Sequence, residues 1–329
     1  MNLSIIGSGS WGTALAKLFS VNFDSILLWT KNQSIANAIN KNHTNPKYFP
    51  HILLPENIKA TTDIDEAFLH GDMIIVVIPT QAIREVLGNL TDQKVEKPVI
   101  SASKGIEIGT LKLTTQILSE ILSIKDENIF ALSGPSFARE VLEGLPTAVV
   151  LGGDICKGRE IQKLLSTQNF RVYTNSDREG VEIGGAVKNV IAIATGISDG
   201  IGLGNNARAS IITRGLNEMR KIAHLYSAKP ETLYGLSGLG DLVLTATGDL
   251  SRNRKLGLLI GKGLSLKQAL KEVGQVVEGL ETVKAINQLQ QKYNLELPIS
   301  STVYKVLYQG LKPIEAVKIL MKRELKEEF

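Results

Sequence analysis

The chain has one cysteine, Cys156, in 329 residues. No intramolecular disulfide can form, so a secreted fold stapled by bridges is excluded and a reducing, cytoplasmic setting is expected. Long apolar runs are also missing: "MIIVVI" at 73–78 stops well short of the roughly 18 residues that span a bilayer. The opening "MNLSIIGSGSWG" has no basic lead-in and reaches glycines at once, so neither export nor membrane insertion is expected. Charge of one sign is not concentrated anywhere. Lys and Arg number 37 against 33 Asp and Glu, a formal charge of +4 with no isolated basic block. That balance argues against a nucleic-acid partner and leaves room for a small anionic ligand. Histidine is scarce as well, with four in the chain: His43, His51, His70 and His224.

What is present is ordinary globular material, 43% hydrophobic and 21% charged, and 329 residues is long for one core, so two domains are expected. Up to about residue 177, short β-branched runs alternate with amphipathic stretches. "LSIIG", "SILLWT", "MIIVVIP", "KPVISAS", "NIFALSG", "TAVVLGG" and "FRVYT" read as strands, and 13–21, 83–90 and 111–122 as helices. Strand and helix in alternation predict a Rossmann-type, doubly wound parallel α/β sheet over 1–177. Beyond it, helical spacing is broken only by turns rich in Gly, Asn, Asp or Pro, such as "SDGIGLGNN" and "AKPETLYGLSGLGD". An all-α C-terminal domain is therefore expected over 178–329.

Gly7, Gly9 and Gly12 form G-x-G-x-x-G directly after the first strand and before "TALAKLFSV", a plausible helix. In a dinucleotide fingerprint the first glycine permits the tight turn, the second admits the pyrophosphate and the third allows helix and strand to pack closely. The helix N-terminus then offers free N–H groups to the phosphates. The second strand runs into Lys31 and Asn32 with no acid to accept from a ribose 2'-hydroxyl. A cation there suits a 2'-phosphate, so the cofactor is NADP or NAD with NADPH favoured, a solvated loop lysine being the alternative reading of Lys31, and no metal is called for.

Reducing a carbonyl with a nicotinamide also needs a proton donor. The helical domain's sole histidine, His224, lies in "EMRKIAHLYSA" and reads as an ordinary helix-face residue. Lys188 sits instead among Val, Ile, Ala and Gly in "EGVEIGGAVKNVIAIATGI", where burial would lower its pKa and make it usable as an acid and base. A lysine snorkelling off a buried helix is the alternative. Asp241 follows a glycine turn and precedes an apolar helix. It reads either as an N-cap or as a partner for Lys188 or a substrate hydroxyl. Ser251 can cap a helix whose first turn carries Arg252 and Asn253, and an arginine there makes sense if an anion docks beside it. Lys104 in "SASKGIE" and Ser136, after the Gly134-Pro135 turn, both follow strands at the sheet's carboxyl end, where open α/β sheets keep their ligands.

Taken together, "GSGSWGTALA", "SASKGIE", "SGPSFAREV", "GGAVKNVIAI", "SDGIGLGNNARA", "GLGDLVLT", "SRNRKLG" and "GQVVEG" resemble, in order and spacing, the bacterial-type NAD(P)-dependent glycerol-3-phosphate dehydrogenases. The resemblance covers essentially the whole chain. It implies reversible reduction of dihydroxyacetone phosphate to sn-glycerol 3-phosphate, a supply of phospholipid backbone. It further implies that Ser10, Trp11, Lys31 and Ala138 contact the cofactor, that Lys104 lies between cofactor and substrate, and that Gly134 and Ser136 line the substrate pocket. Lys188 matches the family's proton acceptor in alcohol oxidation. Asp241, Ser251, Arg252 and Asn253 match substrate positions, with Arg252 also near the cofactor, and Val276 and Glu278 match a cofactor-contacting segment. A lysine-dependent dehydrogenase of the 3-hydroxyisobutyrate or 6-phosphogluconate type is one alternative reading, and a non-catalytic nucleotide sensor another. Exposed apolar helix faces would make a homodimer unsurprising.

Overall fold

A computed structural model of the chain describes residues 1–90, 95–325, 327 and 328. Eight strands form one sheet: β1 Asn2–Ile6, β2 Ser25–Trp29, β3 Ile58–Thr61, β4 Met73–Val76, β5 Val99–Ser101, β6 Ile129–Ser133, β7 Thr147–Gly152 and β8 Phe170–Asn175. Their order is β3-β2-β1-β4-β5-β6-β7-β8. The central strands are parallel and in register, Leu3 opposite Met73 and Ile26, and β4 is buried along its whole length. Apolar clusters cover both faces, with Leu3, Ile5 and Phe130 on one and Ile6, Ile74 and Val76 on the other.

Two features depart from the expected all-parallel sheet. β6 and β7 run antiparallel, because the segment 134–146 holds only the five-residue helix Ala138–Leu142, too short to carry the chain back across the sheet. β3 is a further strand. Its exposed Lys59 between buried Ile58 and Ala60 has the alternation of a half-covered edge rather than the continuous apolar run of the centre.

The helices around the sheet are α1 Ser10–Phe19, α2 Gln33–Asn42, α3 Ile64–His70, α4 Ile83–Leu87, α5 Thr114–Leu122, α6 Ala138–Leu142 and α7 Ile155–Leu165. α1 therefore starts three residues before the expected 13, inside the glycine motif. Beyond β8 come α8 Arg178–Ile201, α9 Gly204–Leu225, α10 Asp241–Thr247, α11 Arg252–Gly261, α12 Leu266–Val273, α13 Gly279–Tyr293, α14 Pro298–Tyr308 and α15 Pro313–Met321.

α8 is the axis of this second half. Asp177 caps its start by accepting from the Gly180 N–H, and Gly202, at φ 86°, ends it. By length and composition α8 could cross a bilayer, although Glu182, Lys188 and Asn189 interrupt its apolar run. Here 94% of its most apolar window is buried inside the protein, against α9, α10, α11 and α13. The α8–α11 contact is backbone on backbone. A Cβ on Gly196 would lie 2.1 Å from the Arg254 carbonyl oxygen, and one on Gly257 would lie 2.1 Å from that of Ile193.

Candidate active site

The sheet order reverses at β1, which is flanked by β2 and β4, and open α/β sheets bind ligands in the crevice at such a point. The glycine motif occupies it. Gly7 has φ 128°, and a Cβ there would lie 2.6 Å from the Val77 carbonyl oxygen; a Cβ on Gly12 would lie 1.8 Å from the Gly7 carbonyl oxygen. A Cβ on Gly9 would meet nothing within 4 Å, so this glycine faces open space. It is also the N-cap of α1, and no side chain caps that first turn. An open approach to free helix N–H groups suits an anion, so these residues fit a dinucleotide pyrophosphate. Ser10 and Trp11 open α1, and Trp11 and Ala138, the first residue of α6, pack half-buried against the same apolar cluster. Lys31 is exposed just past β2, and the Asn32 side chain is committed to capping α2.

A second group of side chains meets where sheet and helices join. Lys188, 6% exposed, donates from Nζ to Asp241 Oδ1 and, at 2.8 Å, to Thr245 Oγ1. Lys104, in the loop three residues past β5, donates to the other Asp241 oxygen at 2.7 Å and to the Gly134 carbonyl at 3.5 Å. Burial pulls the Lys188 ammonium down to about 8, against the Asp241 carboxylate that raises it; Lys104 adds to the lowering. Burial pushes the Asp241 carboxyl up, but the two ammonium groups outweigh it and hold the group below the usual carboxylate range. A buried lysine with one carboxylate and one hydroxyl as partners, near neutrality in pKa, can both give and take a proton. Asp241 is not the N-cap, one of the two readings open to it. Gly240 holds that position after the π-helical turn Leu236–Gly240, leaving the carboxylate to the lysines.

The rest of the expected set gathers around this pair. Gly134, at φ 143°, would place a Cβ 2.9 Å from the Val149 Cα, and Ser136 Oγ donates back to the Gly134 carbonyl at 3.0 Å. Asn189, next to Lys188, accepts from Asn253 Nδ2 at 2.9 Å and donates to Glu278 at 3.2 Å, while the Asn253 oxygen accepts from the Gly279 N–H at 3.0 Å. Ser251 caps α11 through the Arg254 N–H at 3.2 Å. Arg252, half-buried at the start of α11, makes no hydrogen bond or ion pair with a described residue. A recess of about 50 Å³ brings Lys104 together with Val276 and Glu278. The larger cleft, about 440 Å³ between α11, α12 and α14, lies away from these groups. His224 is exposed on the last turn of α9.

Several contributors were not singled out from sequence. Thr245 stands one helical turn after Asp241, so i,i+4 spacing was its available signal. Asn45, fully buried, donates to the Ser8 carbonyl and to Thr13 Oγ1, both at 2.9 Å, and pins the glycine loop from behind. Glu182 accepts from Thr114 Oγ1 at 2.6 Å and from the Thr115 N–H at 2.9 Å, tying α8 to the start of α5; burial pushes its carboxyl up. Neither contact spans a distance that a local pattern can register.

Comparison with known proteins agrees with this architecture. Residues 2–156 match the N-terminal part, and residues 177–318 the C-terminal part, of the family described as NAD-dependent glycerol-3-phosphate dehydrogenase. A glycerol-3-phosphate dehydrogenase [NAD(P)+] of Nitratidesulfovibrio vulgaris is 45% identical over 330 residues, covering all of both chains. One from Macrococcus caseolyticus is also 45% identical, over 98% of each chain. The crystal structure of glycerol-3-phosphate dehydrogenase from Coxiella burnetii superposes with a TM-score of 0.93 at 38% identity, over 98% of this chain and 99% of that one. The chain belongs to the NAD(P)-dependent glycerol-3-phosphate dehydrogenase family.

Proposed function

We propose that the chain reversibly reduces dihydroxyacetone phosphate to sn-glycerol 3-phosphate, with NADPH as the preferred reductant. The observation that carries this reading is the buried Lys188 ammonium, poised near pH 8 on Asp241 and next to Asn189, which bonds Asn253 in the turn that carries Arg252. When bound, the nicotinamide supplies the hydride that reaches C2 of the ketone. Lys188 gives its proton to the oxygen developing on C2, and its charge steadies that oxygen before transfer. Asp241 and Thr245 fix the direction of the Lys188 N–H bonds. Lys104, held by the same carboxylate, would lie between cofactor and substrate. Arg252 grips the phosphate with parallel N–H bonds, and the Asn253–Asn189 contact keeps its turn against Lys188. That remote grip orients the reacting carbon.

The preference for NADPH rests on Lys31, an exposed cation where NAD-selective sites carry an acid. The division into a cofactor-binding domain over 1–177 and a helical catalytic domain over 178–329 is part of the same reading. Loss of absorbance at 340 nm, followed with dihydroxyacetone phosphate beside short keto acids and with NADPH beside NADH, tests substrate and cofactor together. Turnover should be specific to dihydroxyacetone phosphate. Lys188→Ala should lower kcat by a factor on the order of a hundred or more with the fold intact. Turnover of keto acids alone, cofactor binding without turnover, or near-normal kcat in Lys188→Ala would overturn the proposal.

A further inference from the structure

Asp199 lies in the last turn of α8, where the helix dipole disfavours an anion, and its side chain is 6% exposed. Two arginines offset both costs. Arg254 Nε and Nη2 donate to Asp199 Oδ2 at 2.9 and 2.8 Å. Arg208, from α9, puts Nε and Nη2 on Oδ1 at 2.9 and 2.8 Å. The remaining arm of Arg254, Nη1, reaches back to Asp249 at 2.8 Å, and its backbone N–H holds Ser251 Oγ. The segment 249–254 is thus fastened at both ends by one guanidinium, and that guanidinium is fastened by Asp199. Of the two arginines in "SRNR", Arg254 is engaged and Arg252 has no partner among the described residues.

We propose that Asp199 is a positioning residue for substrate phosphate. By neutralising and orienting Arg254, it holds the 251–253 turn so that Arg252 alone faces the anion. This rests on the reading of Arg252 as the phosphate-binding group. It also accounts for "SDGIGLGNNARA", whose Asp199 and Arg208 touch neither Lys188 nor the glycine loop. Asn189, beside Lys188, meets Asn253, and Asp199, eleven residues after Lys188 and about 16 Å of rise along the same helix, meets Arg254, so α8 holds the 251–254 segment at two points.

The test is Asp199→Asn in the full chain, comparing dihydroxyacetone phosphate with dihydroxyacetone, which lacks the phosphate. KM for the phosphorylated ketone should rise about tenfold or more, kcat should stay within about threefold, and NADPH affinity should not change. The ratio of kcat/KM for the two ketones should fall by the same tenfold, whereas a merely structural defect would lower both alike. Inorganic phosphate should raise the melting temperature of the parent protein and have little effect on the variant. Arg254→Lys keeps a cation but not the fork and carries the same expectation should Asp199→Asn fail to fold. Asp249→Asn, which removes a carboxylate that is 97% exposed, should raise KM for the phosphorylated ketone less than Asp199→Asn does. An unchanged ratio in Asp199→Asn, with the parent active on dihydroxyacetone phosphate, overturns this role and leaves the proposed reaction standing. If the parent does not turn over that ketone, the reaction fails instead, and an equal phosphate effect on parent and variant melting overturns the role of Asp199 separately.

Discussion

Replacing Asp241 by Asn removes one negative charge while leaving the side chain's shape almost unchanged, so it isolates the work of the carboxylate. Asp241 is 1% exposed and takes Lys104 on one oxygen and Lys188 on the other. Its charge is the leading influence raising Lys188, opposed to the burial that pulls the ammonium down to about 8. Opposite unit charges about 4 Å apart attract by about 4 kcal/mol at an effective dielectric near 20, equivalent to about three pH units. Water entering a less tightly held site screens part of this, so one unit is a reasonable floor. The Lys188 pKa in Asp241→Asn is therefore expected between about 5 and 7 in place of about 8. With Lys188 as the proposed proton donor, reduction needs the ammonium, which exists below that pKa, so the alkaline limb of the kcat/KM profile should move to lower pH. At pH 7 the protonated fraction falls from about nine-tenths to between about one-half and one-hundredth. Initial rates of NADPH oxidation at 340 nm from pH 5 to 10, with circular dichroism at each pH as a check on folding, measure it. An alkaline limb within half a pH unit of the parent, or one displaced upward, would refute the reasoning.

The glycine motif separates packing from binding. Gly12→Ala places a methyl against the Gly7 carbonyl and should cost about 1–3 kcal/mol in stability, seen as a lower melting temperature together with weak cofactor binding. Gly9→Ala meets only open space, so its melting temperature without cofactor should match the parent while cofactor affinity, measured by calorimetric titration, drops about tenfold; parent-like affinity would exclude the loop as the pyrophosphate site. Lys31→Glu should lower the NADPH-to-NADH ratio of kcat/KM on the order of ten- to a hundredfold, the loss of one charge-assisted hydrogen bond, and an unchanged ratio would remove Lys31 from cofactor choice.

Much of this site is local chemistry, which is why it was legible. Gly7, Gly9 and Gly12 announce themselves by spacing after a strand, and Lys188 by being a cation in an apolar helix. What escaped sequence reasoning is tertiary. Asp241 reads as a cap until Gly240 is seen to occupy that position. Arg252 and Arg254 are two residues apart on one short helix, and only the arrival of Asp199 decides which is spent on structure. β3 is four residues of half-covered edge, and the direction of β7 depends on how far a five-residue helix can carry the chain.

The seam between α8 and α11 has a mechanical consequence. Where Gly196 and Gly257 bring carbonyls against neighbouring backbone, there is no room for a side chain between the helices at those points. The approach of the two helices is then set by backbone against backbone, and the side chains of Asn189 and Asp199 act on a turn that is already close. Hydrostatic pressure should therefore leave this seam nearly unchanged.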